Sequence, residues 1–168
     1  CDYDGRVYSY PFCHADEVAV IPARVIHSWD FEPRPVSRAA AAMLKHIHRQ
    51  PLFTLQMTNP LLFKHVGELA AVAALREKLV AACGWMKEHA PPHQLDEVRK
   101  VLFPRDHLLV STDQFSMDDL VRTKEGKLAA ELRQALDVSA RFTTGAVGAA
   151  AEAAAVPEPV ESEEEETF

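Results

Sequence analysis

Long apolar runs are missing from this chain of 168 residues, which has no uninterrupted stretch near the roughly 18 apolar residues of a membrane span. We therefore expect no transmembrane helix. There is also no basic stripe with interleaved aromatic residues, so the sequence does not favour a nucleic-acid partner. The three cysteines, Cys1, Cys13 and Cys83, come without secretory context. This favours free thiols or metal ligands over a disulfide framework.

Catalytic signatures are missing as well. The chain has no HExxH pair, no glycine-rich phosphate loop and no GxSxG elbow. His46 and His48 are two residues apart in a predicted helix, so their side chains point to different sides. Asp118 and Asp119 are explained better as charges at a helix start than as paired catalytic carboxylates. The sequence therefore predicts a protein that is not an enzyme.

The negative charge is concentrated at the C-terminal end. Seven glutamates and no lysine or arginine lie in residues 145–168, so without them the formal net charge of −7 falls to about zero. This segment consists mainly of Ala, Pro and Glu and offers little apolar surface to offset the entropy of ordering it. We predict a disordered C-terminal tail, with a short Ala-rich helical extension as the alternative.

Helical periodicity dominates the rest of the sequence and predicts an all-α body. One helix is predicted from about Gln94 to Phe103. Another opens with a Ser116–Asp119 capping box and runs to about Phe142, weakened at Gly126. The strongest stripe repeats at three- and four-residue steps and comprises Leu69, Val72, Leu75, Leu79, Ala82, Cys83 and Met86.

Shorter helices are predicted in the N-terminal half. Proline-led starts are expected at Pro22 and Pro35, and an N-cap pair at Asn59 and Pro60. The first 14 residues contain Gly5 and Pro11 and predict an irregular hairpin or loop. Large aromatic side chains are more often packed in a core than used as interface anchors. We therefore predict core positions for Trp29, Phe53, Phe63 and Phe115.

Cys1, Cys13 and His14 form the one constellation that suggests a metal site. A cysteine, a glycine-containing turn and a Cys-His pair are typical of half a zinc knuckle. A structural zinc requires four ligands and these residues supply three at most, so a loop with two free thiols is the alternative. The chain starts at Cys1 rather than Met, and we expect it to be a piece of a longer protein.

Five segments follow one another along the chain: CDYDGRVYSYPFCH, VIPARVIHSWDF, PVSRAAAAML, QPLFTLQMTNPLLFKHV and DHLLVSTDQFSMDDL. In this order they resemble the Rubicon-homology region, found in Rubicon, the pleckstrin-homology family M adaptors and the protein differentially expressed in FDCP cells. The resemblance covers about residues 1–142 and is most specific at residues 21–31 and 50–60. The first cysteine of the family's knuckle falls at or near Ser9, and the Ala/Glu tail replaces the family's second cysteine-rich block.

The resemblance implies a zinc-containing module, with Cys1, Cys13 and His14 at ligand positions, that binds a GTP-loaded late-endosomal Rab GTPase. It further implies a role in endosome and lysosome trafficking or autophagy, and a cytoplasmic location at the periphery of late endosomes and lysosomes. We expect a cap over residues 1–34, a helical body over 35–144 and the tail over 145–168. Two other hypotheses remain open: a RING-like zinc domain with ubiquitin-ligase activity, and a degenerate scaffold that binds no GTPase.

Overall fold

A computed structural model of the chain describes residues 1–8 and 17–153, with side chains described as far as Thr143. Helices dominate it, which confirms the predicted fold class. In chain order the elements are β1 (Val18–Ala19), α1 (Pro22–Ser28), β2 (Arg34–Pro35), α2 (Arg38–Ile47), β3 (Phe53–Thr54), α3 (Leu55–Thr58), α4 (Leu62–His65), α5 (Gly67–His89), α6 (Pro92–Leu102), a 3-10 helix (Asp106–Leu109), β4 (Gln114–Phe115), α7 (Met117–Lys124) and α8 (Lys127–Ala153).

The core forms around α5, the helix that carries the strongest apolar stripe. The α8 helix packs along both α5 and α6, and its residues Leu128 and Leu132 are fully buried. The predicted stripe is confirmed except that Leu75 and Ala82 are only half-buried. The buried positions of α5 are Leu69, Val72, Arg76, Leu79, Cys83 and Met86. Among the residues that the structure describes, no helix is long and apolar enough to cross a membrane.

Two short antiparallel ladders tie the smaller elements together. In the first, β1 pairs with β2 on either side of α1, with Val18 opposite Pro35. In the second, β3 pairs with β4, with Phe53 opposite Phe115. At the N-terminus, the Gly5 N–H donates to the Cys1 carbonyl at 3.0 Å and the Asp2 N–H to the Pro35 carbonyl at 2.9 Å. The rest of the predicted N-terminal hairpin lies outside the described residues.

Two predicted helix starts are wrong. The α2 helix begins at Arg38 rather than at Pro35, because Pro35 pairs in β2 and the Ser37 hydroxyl accepts the Ala40 N–H at 3.3 Å as the N-cap. Asn59 is not an N-cap either. It follows α3, and its side-chain amide donates to the Ile26 carbonyl at 3.0 Å, which attaches this segment to α1.

Gly126 separates two helices where the sequence suggests one weakened helix. It adopts a φ of 73°, in the left-handed region that glycine tolerates best, between the end of α7 and the start of α8. The α8 backbone continues to Ala153, so residues 145–153 follow the alternative of a helical extension. The predicted tail beyond Ala153 lies outside the described residues, and the predicted domain boundaries stay predictions.

Trp29 and the three phenylalanines lie in the core or against it, as predicted. Phe115 is fully buried, while Phe53, Phe63 and Trp29 are half-buried and pack against the main core. The Trp29 ring meets that of Phe31 edge to face, with ring centroids 5.0 Å apart. Packing thus accounts for these aromatic side chains, and an interface anchor has to be sought elsewhere on the surface.

Candidate functional site

The segments at residues 21–31, 50–60 and 106–120 meet in one place. The β3–β4 ladder joins the second segment to the third, and the Gln56 N–H donates to the Asp113 carboxylate at 2.8 Å beside it. The Asn59 amide joins the second segment to the first through the Ile26 carbonyl. The distinctive motifs are far apart in sequence, and these hydrogen bonds make them one continuous part of the molecule.

A buried arginine holds this region against α5. Arg76 is fully buried, its guanidinium donates to the Ser111 carbonyl, and it lies 4.4 Å from the centre of the Phe115 ring. Burial lowers the pKa of Arg76 to about 10, although the carboxylates of Asp119 and Asp113 act in the opposite direction. Its Nε and Nη1 have no hydrogen-bond partner among the described residues. The loop at residues 110–113 is thus pinned to the core.

Asp119 is the second buried charge and the centre of a polar network. Its carboxylate accepts hydrogen bonds from the Ser116 N–H at 2.8 Å, the Ser116 hydroxyl at 2.7 Å and His107 Nε2 at 2.7 Å. Burial acts to raise the pKa of Asp119, but the hydrogen bonds from His107 and Ser116 outweigh it and hold the pKa below the ordinary value of 3.8. The capping box predicted for Ser116 and Asp119 is confirmed.

The network continues outward to the surface. Arg105 Nη1 lies 3.9 Å from Asp119 Oδ1, and the same arginine forms an ion pair with Glu131 on α8. Arg122 bridges Glu131 at 2.8 Å and Asp118 at 2.9 Å. Asp118 is thus partly exposed and forms an ion pair at the surface, whereas its neighbour Asp119 is fully buried and accepts hydrogen bonds from several groups. The sequence predicts helix-start charges at both positions and a capping box at Asp119, but it does not predict that Asp119 is buried among charged partners.

Ser116, His107 and Asp119 contain the residue types of a hydrolase triad but not its arrangement. In a triad the hydroxyl donates to the histidine, which is oriented in turn by the carboxylate. Here the Ser116 hydroxyl and His107 both donate to Asp119. Ser116 is also only 1% exposed, so a substrate has no access to its oxygen. This arrangement holds α7 against the 3-10 helix and does not activate a nucleophile.

A groove of about 440 Å³ opens between α3–α4, α5 and the loop at residues 110–113, beside the junction of the second and third segments. Its walls combine apolar side chains with two carboxylates, and it is lined by Gln56, Phe63, Ala70, Ala73, Ala74, Glu77, Thr112 and Asp113. The segments that frame it also expose large apolar side chains: Met57 is 83% exposed, Val110 66% and Leu61 55%. Exposed apolar side chains around a concave surface are typical of a protein-interaction site.

The predicted metal ligands are described only in part. Cys1 is half-buried and packs against a small apolar cluster of Ile21, Val36 and Ala40. Cys13 and His14 lie outside the described residues. Within residues 1–8 and 17–153, no group of three or more Cys, His, Asp or Glu side chains is arranged to hold a metal ion. The described residues alone do not fit a four-ligand zinc, and the site at Cys1, Cys13 and His14 stays a prediction.

Comparison with known sequences decides the family. The sequence model of the Rubicon homology domain matches residues 1–146, which is most of the chain. The chain belongs to the Rubicon homology domain family. Membership supports a role as an interaction module.

Relatives of this Rubicon homology domain include proteins much longer than the chain. It is 36% and 35% identical over 129 residues to pleckstrin homology domain-containing family M member 3 of Xenopus laevis and Homo sapiens. It is 38% identical over 129 residues to the Differentially expressed in FDCP 8 homolog of Drosophila melanogaster. These matches cover 77% of this chain but 17%, 17% and 26% of the relatives, so the chain spans about a quarter or less of their length.

Proposed function

We propose that this chain is a non-catalytic docking module that binds a late-endosomal Rab GTPase in its GTP-loaded form. In this proposal it acts in endosome and lysosome trafficking or autophagy, and it is peripheral on late endosomes and lysosomes through its partners. The family membership supports the general role of an interaction module. The observation that carries the proposal is the groove with exposed Met57, Val110 and Leu61 around it.

The chemistry of the groove favours a partner surface that is apolar with a basic group beside it. Phe63 and three alanines of α5 provide apolar walls, while Glu77 and Asp113 place two carboxylates at the same groove. Buried apolar anchors supply most of the affinity in such contacts, and complementary charges set orientation and association rate.

Dependence on GTP has a clear physical origin on the partner's side. The γ-phosphate and its magnesium ion order the switch loops of a small GTPase, and hydrolysis releases them. A groove with fixed walls binds ordered switch loops more tightly than disordered ones, because no further conformational entropy is lost in ordering the loops on binding. The Arg76 and Asp113 contacts give this groove such fixed walls.

We expect the chain to bind a late-endosomal Rab loaded with a non-hydrolysable GTP analogue at micromolar Kd, about −8 kcal/mol. The GDP-loaded form should bind at least about tenfold more weakly, a difference of about 1.4 kcal/mol. Calorimetric titration against both forms measures this. Equal affinity for the two forms, or no heat from a chain shown to be folded by circular dichroism, would favour the degenerate-scaffold hypothesis instead.

A further inference from the structure

A second cleft lies at the other end of α5, where α6 begins and α8 passes. It has a volume of about 320 Å³, and its walls are largely aromatic or apolar. The rings of Trp85 and His89 stack at 4.9 Å with an angle of 12° between their planes. His89 Nδ1 donates to the Trp85 carbonyl at 3.0 Å, which fixes this pair. The described side chains that line it are Trp85, His89, Ala90, Pro91, Gln94, Arg141 and Phe142.

The rim of this cleft carries positive charge. Arg141 and His89 are exposed, and Arg141 pairs with no carboxylate in the part of the chain that the structure describes. None of the described side chains that line the cleft is acidic. A cleft with stacked aromatic walls and an unpaired guanidinium selects for a segment with a flat, rigid apolar residue next to a carboxylate.

The chain carries a segment of this chemistry close by in sequence. Residues 156–161 read Val-Pro-Glu-Pro-Val-Glu, which places two prolines among acidic residues. Proline favours the extended polyproline II conformation, and grooves lined by aromatic side chains recognise it at little further entropic cost. We propose that this segment docks in the Trp85–Phe142 cleft of its own chain, with Pro159 against the aromatic walls and Glu158 or Glu161 facing Arg141.

The distance to be covered selects Pro159 over Pro157. Phe142 and Ala153 are eleven residues apart on α8, which is about 16 Å along the helix axis. The four residues from Ala153 to Pro157 extend to about 14 Å at most, too little to return to Phe142 and also step sideways off the helix. The six residues from Ala153 to Pro159 extend to about 20 Å, which reaches the cleft.

The covalent connection favours docking within one chain. Because the six residues to Pro159 must be almost fully extended, their effective concentration lies below the roughly 1 mM of a slack short linker, and the segment needs an intrinsic Kd well below that value. The low apolar content of residues 154–168 argues against a fold of their own. It does not oppose docking, because one proline and one ion pair on an existing surface require no separate core.

The side-chain N–H of Trp85 reports on the cleft in the full chain by NMR, and Trp85→Phe assigns its signal. We expect Pro159→Ala to shift this signal to its undocked position, and Pro157→Ala to leave at least about two-thirds of the docked shift. A synthetic peptide of residues 154–168 at about 5 mM should restore the docked shift in the Pro159→Ala chain, since this exceeds the effective concentration.

Three results would overturn the proposal. The Trp85 signal could stay unchanged in Pro159→Ala, which would mean that the segment does not reach the cleft. Pro157→Ala and Pro159→Ala could have equal effects, which would contradict the distance argument. A docked signal that disappears on dilution of the full chain would assign the cleft to the tail of a second copy and not to its own. Docking within one chain requires a signal that is independent of protein concentration.

Discussion

Replacing Asp119 with alanine is expected to lower the free energy of unfolding by about 3–5 kcal/mol, the range found when one partner of a buried ion pair is removed. Asp119 is fully buried and accepts hydrogen bonds from the Ser116 N–H, the Ser116 hydroxyl and His107. The substitution removes all three hydrogen bonds and leaves His107 and Arg105 without the buried carboxylate that they face. A loss of this size is a large fraction of the roughly 5–15 kcal/mol by which folded domains are stable.

The neighbouring residue provides a matched control. Asp118 has the same side chain and the same helix turn, but it is partly exposed and pairs with Arg122 at 2.9 Å. Such a pair contributes about 1 kcal/mol or less, so Asp118→Ala should cost little. Urea denaturation of both variants measures the difference. Similar costs for the two substitutions would contradict the central position that the structure gives to Asp119.

The pH dependence of stability should separate the same two variants. Because the folded-state pKa of Asp119 lies below the ordinary 3.8, the ionised group contributes its stability above that value. That contribution is lost as the pH falls through the lower, folded-state pKa. The Asp119→Ala chain lacks this contribution, so its loss of stability on acidification should be shallower than that of the Asp118→Ala chain.

Leu79→Ala is expected to cost about 2–5 kcal/mol, as large-to-small substitutions in close-packed cores do. Leu79 is fully buried in the middle of α5, with Cys83 and Met86 buried on the same face. The lost methyl groups leave a cavity between α5 and the helices packed on it. Because other contacts hold these helices in place, they can fill the cavity only in part.

The control for this substitution is Lys78→Ala on the same helix. Lys78 is exposed, so its replacement should change the free energy of unfolding by no more than about 0.5 kcal/mol. Chemical denaturation followed by circular dichroism gives both values. A cost below about 0.5 kcal/mol for Leu79→Ala would mean that this face of α5 lies in solvent.

The sequence predicts the parts of this fold that depend on local periodicity. The α5 stripe, the end of α6 before Pro104 and the Ser116–Asp119 capping box all follow from residues three or four apart. Its errors occur where a distant partner decides the local structure. The sequence around Pro35 is typical of a helix start, but Pro35 pairs with β1 in the structure. Asn59 is typical of an N-cap, but its amide donates to the distant Ile26 carbonyl.

The candidate site shows the same limit. Arg76 lies at a core position of an apolar stripe, and that mismatch is the one signal in the sequence that a buried charge has a distant partner. Its contacts with Ser111 and Phe115 cannot be read from spacing, since they join segments that are not neighbours in sequence. The groove depends on these contacts, so the sequence predicts an interaction module without locating its binding face.

The most direct test of the account is the affinity of groove variants for the GTP-loaded Rab. Met57→Asp introduces a charge at a side chain that is 83% exposed and next in sequence to the groove residue Gln56, whereas Met43→Asp makes the same change on α2, at a side chain that is 39% exposed. We predict that Met57→Asp weakens binding about 30-fold, or about 2 kcal/mol as for an interface hot spot, with the free energy of unfolding unchanged. Met43→Asp should bind like the unsubstituted chain. Unchanged affinity in Met57→Asp, or equal losses in both variants, would contradict the assignment of the groove as the docking surface.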